Sequence, residues 1–201
     1  MLEKKATTSV PIQDLLARRW SSRAYDPHRP VAREHLIALL EAARWAPSCN
    51  GSEPWRYLIW DKARHPDGWQ KAFDCLSENN RKWAKNVPLL MLSCAGSIFE
   101  HNGKPTRWGQ HDTGLASMSL VLQAVALGLM AHQMGSFDDA KAREAFAIPA
   151  EFTPMAMIAV GYLAGPETID DAEVKKKELA PRARKALDER FFEGGWGNGF
   201  V

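Results

Sequence analysis

The stretch LASMSLVLQAVALGLMA, Leu115 to Ala131, is apolar nearly all the way round a helix, and its reading decides the class of the chain. A membrane span needs about 20 apolar residues, whereas this run has 17 and is interrupted by Ser117, Ser119 and Gln123. It therefore predicts a helix buried inside a protein core. Such a helix must be covered by other elements, and three apolar runs offer strands to do so: RYLIW (Arg56 to Trp60), VPLLMLSCA (Val87 to Ala95) and MAMIAVGYL (Met155 to Leu163).

Between and around these lie helical patterns. VAREHLIALLEAARW (Val31 to Trp45) repeats Leu36, Ile37, Leu39, Leu40 and Ala43 at helical spacing, and Pro11 to Arg19 places Ile12, Leu15 and Leu16 on one face. Asp67 to Ala84 is polar and helix-compatible. GLMAH is read as closing the buried helix, with Asp112 or Thr113 as its cap; MGSFDDAKAREAFAI then turns into a short amphipathic helix, and Glu173 to Arg190 is a charged helix broken by Pro181. Helices and non-adjacent strands in irregular alternation predict an α+β fold, and 201 residues predict one domain over positions 1–201.

The charge balance excludes little. Lys and Arg number 26 against 24 Asp and Glu, a net charge of +2 with no basic stripe, so nucleic acid is not an expected partner, and neither is a membrane. Cys49, Cys75 and Cys94 are odd in number and form no C-x-x-C pair, and MLEKKATTSV lacks the apolar core of a signal peptide; a cytoplasmic setting is the expectation. Other chemistry falls away on pattern. The run GGWGNG stands at the chain's end with no helix after it to cradle a phosphate, and His101, His111 and Asp112 match no common metal spacing. No serine sits in G-x-S-x-G.

Two segments remain. In LLARRWSSRAYDP, Arg19, Ser21 and Arg23 alternate after a helix; in an extended segment they share one face, a row of donors about 13 Å long suited to an elongated anion with a polar head, while the other reading of arginines beside a helix C-terminus is that they complement its dipole and face solvent. In APSCNGSEPW, small polar residues between Pro47 and Pro54 offer a rigid surface of close approach, as recognition of a planar heteroaromatic edge requires.

These segments carry a resemblance. RRWSSRAYD (Arg18 to Asp26), ARWAPSCNGSEPWRYLI (Ala43 to Ile59), NRKWAKNVPLLML (Asn80 to Leu92), DTGLASMSLVLQAVALGLMAHQMGSFD (Asp112 to Asp138) and IPAEFTPMAMIAVGYLAGP (Ile148 to Pro166) resemble, in order and spacing, the successive signatures of the nitroreductase family. The resemblance implies an α+β fold whose long central helix lies at a homodimer interface. It also implies FMN as cofactor, NADH or NADPH as reductant, and a small-molecule acceptor such as a nitroaromatic or a quinone. Reductive dehalogenation, enone reduction or flavin storage without turnover are the alternatives on the same scaffold.

Carried across by position, the resemblance implies that Arg19, Ser21 and Arg23 run along FMN, with Arg19 toward the phosphate and Arg23 toward the pyrimidine edge. Pro47, Ser48, Cys49 and Gly51 match the loop that reaches the partner's flavin. Asn80, or its neighbour Asn79, matches an asparagine on the flavin ring. Gly135 and Ser136 match a turn whose backbone amide faces the reactive ring nitrogen. Arg182, Arg184 and Lys185 match a basic cluster over the phosphate, with the pairing open. No side chain is implied as nucleophile. Glu53 stands where the family usually has Gln, so an amide donor is replaced by a carboxylate that accepts only. Acceptor choice is expected to reside in Arg64 to Asn79 and Gly96 to Gln110.

Overall fold

The computed structural model describes residues 2–200. Its order is α1 (Asp14–Arg18), α2 (Arg33–Arg44), β1 (Trp55–Asp61), α3 (Pro66–Asp74), α4 (Glu78–Ala84), β2 (Leu89–Gly96), α5 (Gly109–Ala126), β3 (Leu129–Met134), α6 (Asp139–Ala145), β4 (Phe152–Tyr162) and α7 (Ala172–Leu179). The four strands form one antiparallel sheet in the order β1-β2-β4-β3. This is the expected α+β class.

Strand alternation sorts the apolar side chains into two layers. Leu90, Leu92, Met157, Ala159, Met130 and Met134 face one core, with Trp69, Trp83 and Ala142 of the helices α3, α4 and α6. Leu89, Met91, Ile158, Val160, Leu129 and Ala131 face the other, with Leu36 and Leu39 of α2 and Leu120 and Val121 of α5. Strand β2 is buried along its whole length, which is why its sequence reads as an unbroken apolar run.

Five expectations change, the first in the tail, where the charged helix expected over Glu173 to Arg190 is only α7, Ala172–Leu179, and the chain from Pro181 to Arg190 is not helical. The buried helix ends at Ala126, because Gly128 takes φ +73°, and the apolar residues after it form β3. Asp112 and Thr113 lie inside α5 rather than capping it, since the helix starts at Gly109. The first helix is only Asp14–Arg18, with Ile12 and Leu16 exposed. Asp67 to Ala84 makes two helices, with Ser77 capping the second by accepting from the Asn80 amide. Among the described residues no helix is long and apolar enough to cross a membrane.

Candidate functional site

The chain leaves α1 at Arg19 with φ −62° and ψ 124°, and from there the segment is extended. Trp20, Ser22 and Ala24 point into the core, at 4%, 0% and 1% exposure, while Arg19, Ser21 and Arg23 are half-buried on the opposite side. The predicted row therefore exists as a row. Its far end docks on the sheet: the Asp26 amide donates to the Tyr162 carbonyl at 3.0 Å, and the Ala164 amide to that of Ala24 at 3.1 Å.

Two ends of the row have different surroundings. At Arg19, burial and the guanidinium groups of Arg182 and Arg184 together lower the pKa of its side chain. Arg182 is pinned by donating from Nη1 to the carbonyls of Lys4 and Ala17, at 2.6 and 2.7 Å. Among the described residues none of these three guanidinium groups has a carboxylate within 4.0 Å. Lys185 instead pairs with Glu189 at 3.8 Å. Three converging cations without a counter-ion are suited to an anion bearing more than one charge.

At the other end, the buried carboxylate of Glu178 lies behind Arg23. The Ser22 hydroxyl donates to Glu178 Oε1 at 2.8 Å and the Arg23 amide to Oε2 at 2.9 Å, with Arg23 Nη1 at 4.0 Å. His132, from β3, sits beneath the same segment with Nδ1 2.8 Å from the Ser22 carbonyl. A carbonyl only accepts, so Nδ1 carries the proton. Burial pushes the imidazole down to about 4, against the opposing pull of the Ser22 carbonyl and with help from Arg23 and Arg19. The ring stacks on Trp83, centroids 4.8 Å apart.

Asn80 and the Gly135–Ser136 turn come together: Asn80 Nδ2 donates to the Ser136 carbonyl at 3.0 Å, while Asn79 is exposed. A side-chain carbon added to Gly135 would meet nothing within 4 Å, so the turn opens onto free space. Pro47, Ser48, Cys49 and Gly51 lie elsewhere. Their loop is tied to the start of α5, where the Cys49 amide donates to Asp112 Oδ2 at 2.9 Å, and the other oxygen of Asp112 faces His111 Nδ1 at 2.9 Å. Asn50 and Gly51 take φ +55° and +62°. Glu53, at φ +43°, is exposed, and its amide donates to the Ser48 hydroxyl at 3.0 Å, so its carboxylate is not what shapes the loop. The loop and the start of α5 enclose a shallow groove of about 290 Å³.

Glu178, His132 and Asp112 are the site residues that sequence reasoning missed. Glu178 stands in a run of lysines and reads as a solvated charge; only its burial distinguishes it.

Residues 16–162 match the model of the nitroreductase family. A solved structure described as an oxidoreductase containing FMN is 33% identical, with a TM-score of 0.87 over 96% of each chain. A nitroreductase family protein of Streptococcus pneumoniae shares the fold at 18% identity, TM-score 0.70, over 88% of this chain and 96% of that one. The major NAD(P)H-flavin oxidoreductase of Aliivibrio fischeri is 41% identical over 49 residues, 24% of this chain and 22% of that protein.

Proposed function

The chain belongs to the nitroreductase family, and from that premise we propose that it is one FMN-binding domain that takes hydride from NADH or NADPH and passes electrons to a small acceptor, a nitroaromatic or a quinone. The observation that carries the reading is the convergence of Arg19, Arg182 and Arg184, with no carboxylate partner among the described residues, at the end of a row of donors. The phosphate of FMN is a near-dianion, and three guanidinium groups fit it as point charges and as directed donors. FMN, when bound, supplies the two-electron chemistry that the side chains lack.

The chain's own residues then divide the work. Arg19, Arg182 and Arg184 hold the phosphate. Ser21 lies along the ribityl chain, and Arg23 faces the pyrimidine edge, where a cation stabilises the charge that reduction places there. Asn80 and the Gly135–Ser136 turn approach the ring, an arrangement supported by their mutual hydrogen bond and the open space in front of Gly135. The Pro47–Gly51 loop has its contacts at α5 and serves the site of a second copy.

Denatured protein is expected to release FMN and not FAD. Adding NADH or NADPH to the holoprotein without air should bleach the flavin absorbance, and a nitroaromatic or quinone should restore it. Flavin that stays oxidised under both reductants would mark a storage protein and overturn the catalytic reading.

A further inference from the structure

We propose that Glu178 is a positioning residue that sets the reduction potential of the bound flavin, acting through Arg23; this rests on the placement of the row along FMN. Five cations gather around the row: Lys4, Arg19, Arg23, Arg182 and Arg184. Among the described residues the one carboxylate within 4.0 Å of any of these cations is Glu178, at 1% exposure. An isolated carboxylate is costly to bury, and one set among groups that hold an anion works against anion affinity.

Its contacts say where it acts. Both oxygens face the Ser22–Arg23 segment, through the Ser22 hydroxyl at 2.8 Å and the Arg23 amide at 2.9 Å. Its backbone carbonyl accepts from Lys4 Nζ at 2.7 Å. The nearest cation to its carboxylate is the Arg23 guanidinium, at 4.0 Å, so its charge falls on the end of the row that faces the ring. A fixed negative charge behind Arg23 weakens the positive potential that Arg23 presents in front. Reduced flavin carries more negative charge at that edge than oxidised flavin, so Glu178 disfavours the reduced form and lowers the potential.

An amide can take the place of this carboxylate without disturbing its neighbours. In Glu178→Gln the carbonyl oxygen still accepts from the Arg23 amide. The new NH2 donates to the Ser22 hydroxyl, whose own proton turns to the Ala24 carbonyl 3.4 Å away. Charge is removed and the network is kept.

The test compares wild type, Glu178→Gln, Glu178→Asp and Arg23→Ala as holoproteins, measuring FMN affinity and the midpoint potential against a reference dye. Glu178→Gln is expected to bind oxidised FMN at least as tightly as wild type and to favour reduced over oxidised flavin about tenfold more, an upward shift of about 30 mV for a two-electron couple. Glu178→Asp, which withdraws the charge by one methylene, should shift it the same way by less, and it decides the matter alone if the glutamine variant does not fold. Arg23→Ala should shift it downward. If Arg23→Ala moves the potential and neither Glu178 variant raises it, Glu178 is only structural and the proposal is overturned. If Arg23→Ala leaves the potential unmoved, the row does not face the ring, and the placement on which the proposal rests is overturned with it.

Discussion

Arg19 and Arg23 stand two residues apart on one face, yet the one is crowded by two further guanidinium groups and the other is backed by Glu178. Truncation should separate them. On the proposed placement of Arg19 at the phosphate, Arg19→Ala removes a charge-assisted contact that is the same in both redox states, so about 1.5–3 kcal/mol of FMN affinity should be lost while the potential holds; a fluorescence titration of apoprotein with FMN measures the first. His132 makes a prediction in pH. Its folded pKa, about 4, lies below the 6.5 of a free imidazole, so the unfolded chain takes up a proton that the fold refuses. The stability this contributes is intact above pH 6.5 and is lost as pH falls toward 4, with about 2 kcal/mol gone by pH 5. His132→Asn keeps a donor for the Ser22 carbonyl without that proton, so urea denaturation between pH 7 and pH 5 should weaken wild type more steeply than the variant; parallel curves would contradict the assignment. The row itself was legible because alternation is a local property of an extended chain. Glu178 was not, because what makes it special is a contact across 155 positions of sequence.

The first residue of helix α5, Gly109, packs against the last residue of strand β2, Gly96, and the contact has no room for a side chain. A Cβ on Gly109 would stand 1.9 Å from the Gly96 carbonyl oxygen, backbone that cannot turn aside. Gly109→Ala is therefore expected to cost roughly 3 kcal/mol or more, seen as a lowered denaturant midpoint at unchanged slope. The same helix marks the limit of sequence pattern at its other end. Residues on both sides of Gly128 are apolar and largely buried, and a buried strand cannot be told from a buried helix by apolar content alone. The glycine was the available signal, since φ +73° is a conformation that glycine adopts at little cost. Strands β1 and β2 were legible nearly to the residue, being bounded by turns, whereas the break between α3 and α4 is made by three residues, Cys75 to Ser77, that carry no proline or glycine.

At the scale of the molecule, the sheet order could not be read from the chain, because the central pairing of β2 with β4 joins segments with α5, β3 and α6 between them. Exposed apolar surface is plainer at this scale. Leu115, Met118 and Leu122 recur along α5 at helical spacing and remain half-exposed, and Ile37 and Trp45 on and beside α2 are 49% and 76% exposed. That apolar surface, together with a Pro47–Gly51 loop that makes its contacts at α5 rather than at the arginine row, is what a second copy of the chain would cover. Sedimentation should give twice the chain mass. Met118→Glu places a charge in the middle of the stripe, where burial without a partner is costly, and should shift the protein to monomer. If the loop completes the site of the other copy, the monomer should also lose FMN affinity even though Arg19, Arg182 and Arg184 are untouched. A monomeric Met118→Glu that binds one FMN per chain as tightly as wild type would show that each site is complete within its own chain and that the loop has another task.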